Sequence, residues 1–176
     1  MGQDPEYREA AAELGQLLCE RRIGLVYGGA NVGLMGAIAN AVLEHGGHVT
    51  GVIPESLKEK ELGHPGLSKL YIVASMHERK AMMERLSQGF IALPGGIGTL
   101  EEIFEILTWA QLGLHRKPCG LLNVNGYYDG LISFLKTTER EGFLGELFEK
   151  RLLLGDKAGP LLDQMTAAFE PDLEDA

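Results

Sequence analysis

The chain has 176 residues, of which 45% are hydrophobic, 24 are glycine and 7 are proline. This composition excludes a disordered chain and favours one turn-rich globular domain over residues 1–176, long enough to bury a core. The formal net charge of −9 excludes a general electrostatic attraction to DNA, RNA or an anionic membrane, so we expect none of these as a partner.

Cysteine and histidine usage argues against a metal site. Cys19 and Cys119 lie in apolar surroundings far apart in sequence, which favours free, buried thiols in a reducing compartment such as the cytoplasm. The five histidines lack metal-ligand spacing, and a solvated or hydrogen-bonded ring is the simpler interpretation even of His77, which lies near a candidate site. The first 13 residues are mostly polar, so we expect no signal peptide, and no apolar run is long enough to span a membrane.

Apolar spacing and turn residues predict alternating helices and strands. In chain order these are helix Tyr7–Arg22, strand Gly24–Tyr27, helix Leu34–Glu44, strand His48–Ile53, strand Leu70–Ala74, helix Met76–Gln88, strand Phe90–Leu93, helix Thr99–Leu112, strand Pro118–Val124, helix Tyr128–Glu141, a short helix running into a strand within Glu146–Leu154, and helix Ala158–Met165. We expect the polar segment Ser56–Ser68 to be a loop that could cover a ligand, and the acidic tail, residues 170–176, to fray.

This alternation predicts a doubly wound, Rossmann-like α/β fold, in which helices cover both faces of a parallel sheet. Ligands of such folds bind at the carboxyl ends of the strands. Two glycine-rich turns follow predicted strands, one around Gly28, Gly29, Gly33 and Gly36 and the other at Pro94-Gly95-Gly96. We expect both turns to face one crevice.

The second glycine turn predicts an anion site. Its glycines let backbone N–H groups approach a ligand without side chains in the way, and the helix that follows adds unsatisfied donors and a partial positive charge. Phosphate is the expected anion. Glu101 and Glu102 fall within the predicted first turn of this helix. Glu102 fits a capping box with Thr99 as the N-cap, or it could act on the sugar of a bound nucleotide.

The helix after this turn is apolar on more than one face, which predicts burial on two sides. One side is the sheet, and the other is predicted to be the same region, Thr99–Leu112, of a second subunit in a homodimer.

Several motifs in order resemble those of the LONELY GUY-type cytokinin riboside 5′-monophosphate phosphoribohydrolases, a family often described as lysine decarboxylases. The matching motifs are YGGANVGLMG at Tyr27–Gly36, MHERK at Met76–Lys80, PGGIGTLEE at Pro94–Glu102, TWAQLG at Thr108–Gly113 and GLLNVNGYY at Gly120–Tyr128. The resemblance runs from about Pro5 to Leu162, and several motifs together are far more specific than a lone glycine pattern.

The resemblance implies hydrolysis of the N-glycosidic bond of an N6-substituted AMP, without a cofactor, to a free base and ribose 5-phosphate. It implies that Arg79 and Glu102 are the catalytic pair, with Glu102 stabilising the oxocarbenium-like ribose or activating water. The implied substrate and phosphate contacts are Gly28, Gly29, Gly33, Met35, Glu61, Lys80, Pro94, Gly95, Gly96, Ile97, Gly98, Thr99, Leu100, Glu101 and Thr108. A decarboxylase would need pyridoxal phosphate on a lysine, and no motif places one.

Composition alone gives plainer interpretations of the same residues. Arg79 would be a cation on a helix surface, Glu61 a solvated charge in a Lys/Glu loop, and the methionines of the third predicted helix would fill the core.

The chain departs from the family pattern twice. The usual first strand with its serine-containing phosphate loop is absent before the first helix, so either the sequence lacks its true N-terminus or the sheet has lost a strand. Ala30 stands where a third glycine is usual, which alanine tolerates only if its φ is negative.

Three functions therefore compete. They are the phosphoribohydrolase, a broader purine nucleoside 5′-monophosphate nucleosidase with the same chemistry, and a non-catalytic carrier of a nucleotide-like cofactor such as molybdopterin.

Overall fold

The computed structural model describes residues 2–58, 64–145 and 151–169. The chain forms two compact units, Met1–Ser87 and Gln88–Ala176. Each unit contains a three-stranded parallel sheet with helices packed against it. The predicted parallel α/β class is confirmed, but the described strands pair in two three-stranded sheets where the alternation predicted one.

The first unit contains four helices and three strands among the described residues. They are α1 (Pro5–Glu20), β1 (Leu25–Tyr27), α2 (Gly33–Glu44), β2 (Val49–Pro54), α3 (Glu55–Lys58), β3 (Lys69–Val73) and α4 (Met76–Leu86). The strand order is β1-β2-β3, and all six residues of β2 are buried, as expected for a central strand covered on both faces. α1 packs against α2, and α4 contacts all three strands.

The start of α1 confirms the Asp4-Pro5 signal. The Asp4 carboxylate accepts the backbone N–H of Glu6 at 3.0 Å, and proline occupies the first helical position, where a missing N–H does no harm.

The second unit repeats the strand–helix alternation. Its described elements are β4 (Phe90–Ala92), α5 (Ile97–Gln111), β5 (Cys119–Leu122), α6 (Asp129–Arg140), β6 (Leu152–Gly155) and α7 (Ala158–Ala168). The strand order is β4-β5-β6, and α5 packs against β4 and β5. Ile103, Ile106 and Leu107 of α5 join Leu121 and Tyr128 in the core of this unit.

The structure corrects the predicted elements at several ends. Pro54 is the last paired residue of β2, opposite Val73, where the sequence placed it just after the strand. The loop prediction for Ser56–Ser68 is wrong at its start, because the short helix α3 runs to Lys58. Glu61, the predicted helical turn at residues 146–150 and the tail from Glu170 lie outside the described residues.

Candidate active site

The first glycine turn, residues 28–36, follows β1 directly and leads into α2. Gly29 and Gly33 have φ angles of 82° and 61°, in the left-handed region that side chains disfavour. Ala30 is fully buried and its φ is not positive, so the condition for alanine at this position is met. The backbone therefore keeps its turn despite the missing third glycine.

Arg79 packs against this turn. Its side chain is only 6% exposed, and a Cβ added to Gly28 would collide with the Arg79 guanidinium. Arg79 Nη1 also lies 3.8 Å from the Met76 sulfur. The prediction of a surface cation is therefore wrong. A guanidinium stays charged at any physiological pH, so its burial against a glycine turn is typical of a functional site.

Lys80 is the second buried cation of α4, at 8% exposed. Two hydrogen bonds cap the start of this helix: the Ser75 hydroxyl accepts the N–H of Glu78 at 3.1 Å, and the Glu78 carboxylate accepts the N–H of Ala74 at 2.9 Å. This reciprocal cap was not predicted, although the Ser-x-x-Glu spacing signals it. The methionines of α4 are half-buried or exposed, so the helix buries its cations more deeply than its apolar residues.

Tyr27, the last residue of β1, directly precedes this turn and carries a buried phenol. The side chain is 6% exposed, yet its hydroxyl has no hydrogen-bond partner within the described part of the chain. Burial raises the pKa of this phenol well above its ordinary value, so the hydroxyl keeps its proton and remains a donor.

The second glycine turn, residues 93–98, ends in the N-terminus of α5. The N-cap is Gly96, which has no side-chain cap, and the helix begins at Ile97. The predicted capping box is therefore wrong, because Thr99 lies inside the helix as its third residue. Neither Glu101 nor Glu102 falls in the first turn. The uncapped N–H groups and the partial positive charge of the helix are left available to an anion.

Helical geometry relates this N-terminus to Glu102. Glu102 lies about 7.5 Å along the axis from Ile97, at 1.5 Å per residue. Gly98 and Glu102 are four residues apart and share a face. Apart from its chain neighbours and the helix backbone, a Cβ at Gly98 would meet no atom of the described residues within 4 Å, so the space directly outside Gly98 is open. Glu102 is half-buried, whereas Glu101 is exposed. An anion at the helix end and a carboxylate one turn further on could thus address two ends of one ligand.

The other predicted contacts are more scattered. Pro94 is buried and Leu100 half-buried, while Met35 on α2 is 38% exposed. Thr108 is exposed, and its hydroxyl donates to the Phe104 carbonyl at 2.7 Å. It lies roughly 16 Å along α5 from Ile97, too far to share a phosphate with the helix N-terminus of the same chain.

Nothing in the described segments gathers three or more His, Cys, Asp or Glu side chains into a potential metal site. His77 is exposed. Cys19 is half-buried and Cys119 fully buried, and both are free thiols. Burial raises the pKa of Cys119 to about 12, against the opposing effect of the Arg151 charge, so this thiol is no nucleophile at neutral pH. Over the same segments, no helix has the length and apolarity needed to cross a bilayer.

Two residues of the second turn's surroundings had no predicted role. The hydroxyls of Tyr127 and Tyr128 donate to the carbonyls of Gly95 and Leu93. The sequence signals them only as part of the GLLNVNGYY motif, because a contact more than 30 residues away has no local pattern.

Comparisons with known proteins agree with these motifs. A family model described as "Possible lysine decarboxylase" matches residues 35–165. The chain is 48% identical over 174 residues to a cytokinin riboside 5′-monophosphate phosphoribohydrolase of Arabidopsis thaliana, covering 99% of this chain and 80% of the relative. It is 49% identical over 154 residues to a protein of the same name from Rhodococcoides fascians, covering 87% of this chain and 78% of the relative.

A solved structure adds a likeness of fold. The chain is similar to the molybdenum cofactor binding protein of the phototrophic bacterium Rippkaea orientalis, with a TM-score of 0.70 and 21% identity, over 93% of this chain and 88% of the other. At that identity the likeness concerns the fold alone. The match to the family model and the identity to the two phosphoribohydrolases extend over most of the sequence, and the chain therefore belongs to the LONELY GUY family.

Proposed function

We propose that this protein hydrolyses the N-glycosidic bond of an N6-substituted AMP and releases the free base and ribose 5-phosphate. The observation that carries the proposal is the near-full-length identity of 48% to a relative named for this activity. The burial of Arg79 against the first glycine turn supports it. Arg79 is the catalytic cation that the family resemblance implies, and its side chain is buried in a defined position in this chain.

The proposed reaction breaks the bond between C1′ of the ribose and the base nitrogen. A water oxygen bonds to C1′, one water proton leaves, and the departing base takes up a proton, so atoms and charge balance. The transition state resembles an oxocarbenium ion, which a nearby carboxylate stabilises. We assign this role to Glu102, which could equally activate the water. We assign Arg79 to hold the ribose or phosphate, a task suited to a rigid guanidinium fork.

Phosphate binding is assigned to the backbone N–H groups of the second glycine turn, and Lys80 is retained as a substrate contact that the family resemblance implies. Local donors are needed because the net charge of −9 repels an anion. The remaining contacts predicted from the family, including Met35, Glu61, Leu100 and Thr108, are retained as proposals.

The test measures free-base release from N6-isopentenyl-AMP and from AMP by chromatography. Release from the N6-substituted nucleotide, with much slower release from AMP, is the expected result. Comparable rates on both would favour the broader purine nucleoside 5′-monophosphate nucleosidase.

A cofactor carrier is the remaining alternative, and the likeness of fold to the Rippkaea orientalis protein is what favours it. Tight binding of a nucleotide without base release from any nucleoside monophosphate would select the carrier and reject the hydrolase.

We also propose a homodimer through the α5 region and a cytoplasmic location. The protein's own core covers more of α5 than its sequence suggested, since Phe104 and Trp109 pack against it. The apolar residues left exposed lie near the ends of the helix: Ile97 at 82%, Leu112 at 69% and, just beyond it, Leu114 at 70%. Their exposure supports an interface, and the two free thiols support a reducing compartment.

A further inference from the structure

Two tyrosines from the segment between β5 and α6 hold the second glycine turn by its carbonyl groups. The Tyr127 hydroxyl donates to the Gly95 carbonyl at 2.7 Å, and the Tyr128 hydroxyl donates to the Leu93 carbonyl at 2.5 Å. Both acceptors belong to the turn to which we assign the phosphate.

Hydrogen bonds of Asn123 hold the segment that carries the two tyrosines. Asn123 accepts the backbone N–H of Tyr128 at 2.6 Å and donates its side-chain amide to Asp129 at 2.8 Å. The backbone N–H of Asn123 donates to the Gly155 carbonyl at 2.7 Å. The Tyr127 and Tyr128 rings meet edge to face with their centroids 4.9 Å apart. Their hydroxyls are therefore held in place by β6 and α6.

The two hydrogen bonds differ in whether the peptide unit that they hold also carries an N–H group. In a trans peptide unit the C=O and the N–H point in opposite directions, and the described chain has no cis peptide. Fixing the Gly95 carbonyl therefore also fixes the Gly96 N–H, on the side away from Tyr127. The Leu93 carbonyl shares its peptide unit with Pro94, which has no N–H to orient.

We infer that Tyr127 is a positioning residue that aims the Gly96 N–H at the 5′-phosphate, whereas Tyr128 stabilises the fold. This inference rests on the proposed function and deepens it. Tyr127 is 43% exposed, so its hydroxyl contributes little to folding. Tyr128 is 2% exposed, and removing its buried hydroxyl leaves the carbonyl of half-buried Leu93 without that donor.

The experiment compares Tyr127→Phe with Tyr128→Phe, each of which removes one hydroxyl and keeps the ring. Three quantities are measured: kcat and KM with N6-isopentenyl-AMP, the dissociation constants of ribose 5-phosphate and ribose by calorimetry, and Tm. Tyr71→Phe in the first unit is the matched control, and wild-type values are expected for it.

Tyr127→Phe is expected to raise KM and the dissociation constant of ribose 5-phosphate about 5-fold, the scale of one net hydrogen bond, with kcat and Tm near wild type. Binding of ribose, which lacks the phosphate, should not change. Tyr128→Phe is expected to lower Tm and leave the dissociation constant of ribose 5-phosphate unchanged.

Wild-type affinity of Tyr127→Phe for ribose 5-phosphate would overturn the inference, as would an equal loss of affinity for ribose. If the wild-type protein binds ribose 5-phosphate but releases no base, the proposed hydrolysis fails while the comparison of the two variants still decides the role of Tyr127. If the wild-type protein does not bind ribose 5-phosphate, the phosphate assignment and the inference both fail.

Discussion

At the scale of single residues, Arg79 is the least expected feature of the protein. It is a permanent charge that is 6% exposed and pressed against Gly28. We predict that Arg79→Ala lowers kcat/KM about 100-fold or more, the scale of an electrostatic group in a transition state. Arg79→Lys should not restore activity, because an ammonium cannot replace the planar fork. Arg85→Ala, an exposed arginine of the same helix, is the control. Wild-type kinetics in Arg79→Ala would remove it from the mechanism.

Glu102 and its neighbour provide a second test at this scale. We predict that Glu102→Gln lowers kcat about 100-fold with little change in KM, because the charge acts on the transition state. Glu101→Gln should affect mainly KM, because we assign it to substrate contact and its side chain is exposed. Steady-state kinetics on both variants decide the assignment. A larger loss of kcat in Glu101→Gln would reverse the two roles.

The two thiols should differ in reactivity because Cys119 is fully buried and Cys19 is only half-buried. The pKa of Cys119 is raised to about 12 by burial, so at pH 8 only about 10⁻⁴ of this thiol is ionised. We predict that the native protein offers a disulfide reagent only Cys19 and that Cys19→Ser offers none. Cys119 should react only after unfolding. Rapid labelling of native Cys19→Ser at pH 8 would contradict the burial of Cys119.

At the scale of one element, the glycine at the N-terminus of α5 lowers the stability of the helix but leaves space for a ligand to approach it. Gly98 lies inside the helix without a positive φ, and a Cβ there would meet no described atom. Gly98→Ala is therefore predicted to stabilise the fold by about 0.5–1 kcal/mol, because alanine favours helix over glycine. The added methyl group stands between the helix N-terminus and Glu102, so KM should rise.

Gly130 of α6 is the matched control for this substitution. It is also an exposed helical glycine with open space at its Cβ position. Gly130→Ala should raise Tm similarly and leave KM unchanged. Equal KM values for the two variants would show that substrate does not approach along the Gly98 face of α5.

At the scale of the whole molecule, the exposed apolar residues at the ends of α5 predict self-association. Leu112→Glu combined with Leu114→Glu should convert a dimer to a monomer, because burying two carboxylates in an apolar contact is unfavourable. Light scattering during size-exclusion chromatography measures the change. Phe134→Glu, which replaces a 63% exposed residue of α6, should leave the dimer intact. A monomeric wild-type protein, or a dimer unaffected by the α5 substitutions, would contradict the proposed interface.

The sequence by itself determined the order of the described helices and strands apart from the short helix α3, the parallel α/β class and the two glycine turns. These features depend on neighbouring residues: apolar spacing defines each element, and glycine or proline ends it. Local pattern also supplied the family motifs, including Arg79 and Glu102. It failed at the start of α5, because Thr99 fits a capping box as well as it fits the third position of a helix.

Only the tertiary structure decided which of these residues share an environment. Nothing near Arg79 in the sequence shows that it is buried against Gly28, about 50 residues earlier. The pairing of the described strands into two sheets of three likewise depends on contacts between distant segments. The Tyr127 hydrogen bond to the Gly95 carbonyl spans 32 residues. Burial and long-range hydrogen bonds arise from packing, and packing brings together residues whose local patterns are independent of one another.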